Sequence, residues 1–198
     1  MVKKRAPNPR GRGEQLREEL IRAAIELLEE PQVVNGPSLR EIARATGIAP
    51  SAVYTRFTSA SELLQTVIDS QYGALREEIR KSAQAATNPK EKLVLIASRY
   101  ITWGLEHPGS YQLLFESSDK LPEGVVALGP GVELLREIGG HVAEVLGESD
   151  DSPERVTLRL WAALHGITSL RLHKKNSPWT TSVEIEAEAT VEAFLVRA

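Results

Sequence analysis

The chain has 198 residues, 41% apolar and 26% charged, with a formal net charge of −3. It contains no Cys, which excludes a disulfide framework, a thiolate zinc site and a cysteine nucleophile. No run approaches the roughly 18 consecutive apolar residues of a membrane helix, so a membrane-spanning role is not expected.

The charged start Met1-Val2-Lys3-Lys4-Arg5 is not followed by the apolar stretch of a secretory signal, and a cytoplasmic location is expected. Charge is unevenly placed. Residues 1–12 carry Lys3, Lys4, Arg5, Arg10 and Arg12 with no acid, a balance of +5. The remaining residues sum to −8. A basic arm on an acidic body suggests that a polyanion is met at the N-terminus, although a solvated, disordered tail containing Pro7 and Pro9 accounts for the same residues.

Apolar spacing is helical almost throughout, and no stretch alternates as a strand does. Leu16, Leu20, Ala24, Leu27 and Leu28 mark a helix over about 13–30, ended by Pro31. Ser38-Leu39-Arg40-Glu41 is a capping box that opens a short helix, which Gly47 stops through a left-handed position. Pro50 suits the first turn of the next helix, expected to reach about Arg56.

Ser59-Ala60-Ser61-Glu62 reads as a second capping box, opening a helix with Leu63, Val67, Ile68, Tyr72, Leu75 and Ile79 on its buried face. Asn88-Pro89-Lys90-Glu91 opens a helix to about Glu106, and a short one follows near 109–116. Another settles by Val132 and runs to Leu146. Ser152-Pro153 caps a helix to His173, and the last begins near Pro178. The expected fold is all-α, with about nine helices.

Residues 38–57, SLREIARATGIAPSAVYTRF, match a helix-turn-helix pattern. Ile42, Ala43, Ile48, Val53 and Phe57 fall where the two helices face each other and the first helix. That packing places Pro50, Ser51, Tyr54, Thr55 and Arg56 on the outer surface. Short polar groups there can reach base edges in a major groove, while Arg and Tyr can reach phosphates. An αα-hairpin in an ordinary bundle is the bland alternative.

The segment from Gly13 to about Leu64 resembles the DNA-binding domain of the TetR family of transcriptional regulators. The resemblance runs through Leu20-Ile21-Arg22-Ala23-Ala24-Ile25-Glu26-Leu27, Ser38-Leu39-Arg40-Glu41-Ile42-Ala43, Gly47, Ala52-Val53-Tyr54-Thr55-Arg56-Phe57, Ser59 and Glu62-Leu63-Leu64. In the C-terminal part, Trp161-Ala162-Ala163-Leu164-His165-Gly166 resembles the Trp…His-Gly signature of one TetR subfamily. Trp103-Gly104-Leu105-Glu106-His107-Pro108, with Tyr111 and Phe115, is also similar to it.

The resemblance implies a homodimer on a pseudo-palindromic double-stranded DNA operator, usually a repressor released by a small effector. Its implied organisation is a basic arm at 1–12, a helix-turn-helix domain at 13–58, a connecting helix at 59–81 and a regulatory and dimerisation domain at 82–198. Tyr54 and Arg56 match phosphate-contacting places, Pro50, Ser51 and Thr55 base-facing ones, and Arg40 a position that reaches the groove in some members. Ala60 and Ala52 stand where the family often has a phosphate-binding Lys and Thr. These two losses shift weight onto Lys3, Lys4, Arg5, Arg10 and Arg12 as DNA contacts. They also motivate the alternative of a helical ligand-binding or interaction protein that has lost DNA binding.

The helix over 153–173 is apolar on two sides. Val156, Leu160, Leu164 and Ile167 mark one stripe, and Leu158, Trp161, His165, Thr168 and Leu172 the other. A partner copy on one side is expected, joined by the last helix. Gly166 in mid-helix suggests a close backbone approach. Tyr100, Trp103, Tyr111, Phe115, Trp161 and His165 are the expected lining of an apolar effector pocket, with core packing as the competing reading for each.

No enzyme is expected. Gly11-Arg12-Gly13 follows no strand, so it is no phosphate loop, and nothing pairs a Ser with a His and an acid. Glu137, His141 and Glu144 share a helix face that has metal-ligand chemistry, but solvated surface is the ordinary reading. Neither cofactor nor metal is expected.

Overall fold

The computed structural model of the protein describes residues 12–28, 38–117, 121–126, 129–149 and 151–195. Among these residues the fold is all-α, with nine helices and no strand. The expected arm residues Lys3, Lys4, Arg5 and Arg10 lie outside the described residues, and Arg12 is the first residue of α1 (Arg12–Leu28). None of these helices is long and apolar enough to cross a membrane.

Local chemistry sets the N-terminal helices. α2 (Leu39–Thr46) opens on a complete capping box. The Glu41 amide donates to Ser38 Oγ at 3.3 Å, and the Ser38 amide donates to Glu41 Oε2 at 2.8 Å. The Ser38 hydroxyl adds a third bond, and these hydrogen bonds hold the Glu41 carboxyl below its ordinary pKa. Gly47 ends α2 at φ 66°, its amide returning to Arg44 and Ala43 carbonyls.

α3 (Pro50–Val53) is shorter than the sequence predicts. It ends at Val53, and Tyr54, Thr55 and Arg56 wind on as a tighter turn with i→i+3 bonds such as Arg56 N to Val53 O at 2.9 Å. The Thr55 hydroxyl turns back onto the Ala52 carbonyl at 2.6 Å, which favours this tightening.

The second capping box differs from its expected form. α4 (Ala60–Ala83) is capped by Ser59 Oγ, which accepts from the Glu62 amide at 3.1 Å. The Glu62 carboxylate, however, reaches the Thr58 amide at 2.6 Å rather than that of Ser59, because Thr58 also offers its hydroxyl at 2.7 Å. α5 (Pro89–Glu106) repeats the device with Asn88 as cap and Thr87 as the residue that Glu91 holds.

The remaining helices are α6 (Pro108–Phe115), α7 (Gly129–Leu146), α8 (Pro153–His173) and α9 (Val183–Leu195). α7 starts three residues before the expected Val132. Pro130 lies in its first turn, where an amide proton has no helical partner to lose. α9 starts at Val183 rather than near Pro178. The preceding stretch is held as a turn by Trp179, whose ring lies 4.7 Å from the Arg171 guanidinium and whose Nε1 donates to the Lys174 carbonyl at 3.2 Å.

α5 runs through the middle of the C-terminal body and packs on α4, α6, α7, α8 and α9. α1, α2 and α3 form a compact unit that touches the rest through α1 against α4 and α6. One continuous core links both parts, from Leu20, Ile42, Val53 and Phe57 to Ile68, Leu93, Ile101 and Val191.

Candidate nucleic-acid interface and effector cavity

The helix-turn-helix is held by the residues the sequence singled out. Ile42, Ala43, Val53 and Phe57 are buried, and Ile48 packs against them from the turn. Arg17 of α1 lies over the Phe57 ring at 5.1 Å and donates to Thr66 Oγ1 of α4 at 3.4 Å, so the support for α3 is tied to the connecting helix. With Val53 and Phe57 pinned inward, Pro50, Ser51, Tyr54 and Thr55 are turned to solvent, Tyr54 with 58% of its surface free. Arg40, the second residue of α2, is exposed on the same unit.

Arg56 differs from expectation. It is half-buried, and its guanidinium is folded against Gly13 so closely that a Cβ there would sit 2.7 Å from Nη1. Its Nε is buried with no hydrogen-bond partner among the described residues. The reason is geometric: the tight turn after Val53 swings position 56 toward the start of α1. Ala52 and Ala60 offer no polar side chain to this surface.

In the C-terminal body, α4 to α8 enclose a small cavity of about 30 Å³, room for about one or two waters. Of the residues expected to line an effector pocket, Tyr100, Phe115 and Trp161 border this void. Trp103, Tyr111 and His165 do not. Trp103 is buried beside His107, and Tyr111 is fully buried behind the cavity with its hydroxyl 2.6 Å from His165 Nδ1. Sequence reasoning missed Tyr72, Leu134, Ile138 and Thr157 as wall residues. Periodicity marked Tyr72 as inward-facing, but a period cannot distinguish filled core from the edge of a void.

The polar side-chain groups of the lining are three hydroxyls and the Trp161 indole N–H. Tyr72 OH donates to the Leu114 carbonyl over a long 3.4 Å, and burial pushes its pKa up to about 12. Tyr100 OH is 3.4 Å from Tyr111 OH, and burial raises both phenols. Thr157 donates to the Pro153 carbonyl at 2.7 Å. Burial also lowers the His165 pKa below its ordinary value.

Glu137, His141 and Glu144 do not converge on a common centre. Glu137 is taken by Arg76 of α4, while Glu144 pairs with His141 and Lys92. No cluster with metal-binding geometry occurs among the described residues.

The exposed side of α8 presents Leu158 and Leu170, each about half free, and α9 presents Ile185. Gly166 faces open space, with no atom within 4 Å of where its Cβ would be. The close approach expected at Gly166 is therefore not made by this chain's own described residues.

Solved structures share this architecture. A protein of unknown function from Rhodococcus sp. RHA1 superposes with a TM-score of 0.77 at 22% identity, covering 92% of this chain and 94% of its own. A TetR family transcription regulator from Marinobacter aquaeolei VT8 gives 0.67 at 17% identity, covering 93% and 97%. The transcriptional regulator FadR from Bacillus subtilis, solved in complex with stearoyl-CoA, gives 0.70 at 14% identity, covering 90% and 97%. The shared fold is that of helix-turn-helix regulators with a helical C-terminal domain. Residues 93–194 match the family model described as tetracyclin repressor-like, C-terminal domain. The chain belongs to the TetR family of transcriptional regulators.

Proposed function

We propose that the protein is a homodimeric, sequence-specific DNA-binding repressor of a pseudo-palindromic operator, released when a small effector occupies the C-terminal cavity. The observation that carries this reading is the exposed surface of α3 and its following turn, with Pro50, Ser51, Tyr54 and Thr55 held outward by the buried Val53 and Phe57. Pro50, Ser51 and Thr55 face bases, Tyr54 contacts phosphate, and Arg40 reaches the groove edge. Arg56 joins the phosphate contacts by unfolding from Gly13. The functional division is an arm at 1–12, a DNA-binding unit at 13–58, a connecting helix at 59–81 and a regulatory unit at 82–198.

The dimer forms through α8 and α9. Exposed Leu158, Leu170 and Ile185, together with the open space at Gly166, support this face. The FadR complex with stearoyl-CoA supports a ligand site within this fold. The protein is cytoplasmic and has no catalytic role.

Selection from random duplexes tests the reading. A regulator enriches a pseudo-palindrome with half-sites about one helical turn apart, or a multiple of it. Tyr54→Ala, an exposed position, weakens that binding while leaving the fold intact. Failure to enrich any sequence favours a helical ligand-binding protein that has lost DNA binding, the reading that Ala52 and Ala60 motivate.

The basic arm supplies the phosphate contacts that Ala52 and Ala60 do not. Lys3, Lys4, Arg5, Arg10 and Arg12 then each contribute about 0.9 to the log–log salt slope of binding. An unchanged slope after removal of residues 1–12 overturns the arm's role.

A further inference from the structure

We propose that the effector is a small uncharged molecule with an apolar body and a single hydroxyl or carbonyl end, and that it enters by displacing the Phe115 ring. This rests on the reading of the cavity as an effector site. Its walls contain no Asp, Glu, Lys, Arg or His, so a charged ligand finds no counter-ion there. The nearest carboxylate behind Phe115, Glu116, is engaged by His173 Nε2 at 2.9 Å and does not line the void. Its negative field is felt at Tyr100 and Tyr111, which repels an anionic end group.

Three hydroxyls remain, and Tyr72 is the weakly committed one. Tyr72 OH makes a single 3.4 Å contact, so it is released to a ligand oxygen at little loss, whereas Tyr100 OH is shared between Tyr111 and the Trp161 indole. Thr157 spends its proton on Pro153 but keeps a free acceptor lone pair. This set satisfies one neutral polar group. Apart from the Trp161 indole N–H, the other side chains of the lining are hydrocarbon or aromatic ring.

The void of about 30 Å³ is too small for any effector, so a wall has to move. Phe115, Leu135, Ile138 and Trp161 are the half-buried walls, and of these Phe115 alone ends its helix, as the last residue of α6, while the other three stand in mid-helix. The Phe115 ring meets Tyr111 at 5.0 Å, Tyr100 at 5.6 Å, Tyr72 at 5.7 Å, His165 at 6.3 Å and Trp161 at 6.4 Å between centroids, contacts that an entering aromatic or apolar body has to replace. An apolar body entering this space exchanges one set of aromatic contacts for another. Tyr72 also fits closely against Gly131, where a Cβ would lie 2.8 Å from the phenol oxygen.

The test compares 1-octanol, octanoate and octyltrimethylammonium, which share a chain and differ in charge, by thermal midpoint and by release of the selected operator. 1-Octanol is expected to raise the midpoint and release DNA, and the charged analogues to do neither at the same concentration. Phe115→Ala, which opens the wall, is expected to bind 1-octanol at least about tenfold more tightly. Ala97→Phe, which fills the void, is expected to abolish the response.

A stronger response to octanoate or octyltrimethylammonium, also abolished by Ala97→Phe, overturns the neutral class and leaves the effector site standing. No response to any of the three, in the wild type and in Phe115→Ala, makes the void ordinary core. The inference and the effector assignment then fall together, while operator selection is judged on its own.

Discussion

The Tyr111 hydroxyl stands 2.6 Å from Nδ1 of His165, and the two rings stack at 5.7 Å between centroids with only 18° between their planes. This contact joins α6 to α8 behind the cavity. It lies between the helix that ends in Phe115 and the helix whose far side is exposed, so a shift of α6 is felt at α8.

His165 gives stability a defined pH dependence. Burial lowers its folded pKa below the unfolded value of about 6.5, so the folded state holds the imidazole neutral. The contribution is fully present above about pH 6.5 and is lost as pH falls below it, because the unfolded chain takes up a proton that the folded one refuses. Urea midpoints at about pH 7.5 and about pH 5.5 check this. The acid-side loss is expected to be smaller in His165→Asn than in the wild type, and an equal loss in both rejects it.

Gly104 of α5 is a point of closest packing. A Cβ there would lie 2.5 Å from Thr168 Cγ2 of α8 and 2.7 Å from Tyr111 Cδ2 of α6. Both neighbours are buried, so the strain has no cheap outlet. Gly104→Ala is expected to destabilise the protein by about 1–3 kcal/mol, measured by chemical denaturation. Gly166→Ala, which meets open space in the single chain, is expected to stabilise the monomer by about 0.5–1 kcal/mol through helix propensity and to weaken association if a partner backbone approaches there.

Gly47 is under a different constraint. Nothing lies within 4 Å of its Cβ position, but its φ of 66° belongs to the left-handed region. Gly47→Ala is expected to cost about 1–2 kcal/mol by backbone strain alone. Gly47→Asn recovers part of that loss, since Asn tolerates this conformation better. Equal melting of the Ala and Asn variants contradicts the backbone account.

The dimer has a direct measurement. Leu158 of α8 is 53% exposed and Ile185 of α9 is 55% exposed. Replacing both by Glu buries two charges if these residues meet a second copy, and costs almost nothing if they face water. Equilibrium sedimentation is expected to give a dimer for the wild type and a monomer for the double variant. A monomeric wild type at micromolar concentration excludes the dimer.

Much of the architecture was legible in the one-dimensional string because its causes are local. Ser38 and Glu41, Gly47, and Asn88 with Pro89 act on residues within a turn of themselves, so helix starts and stops follow from neighbours. The 3.6-residue period similarly determined that Val53, Phe57, Ile68 and Tyr72 face inward. Tertiary structure decided what depends on distant residues meeting. Only folding brings Arg56 onto Gly13 and the Arg17 guanidinium over the Phe57 ring. The same holds for Tyr111 and Trp103, aromatic like Tyr100 but outside the lining of the void. A cavity is space left over when five helices pack imperfectly, and no residue encodes its own absence of neighbours.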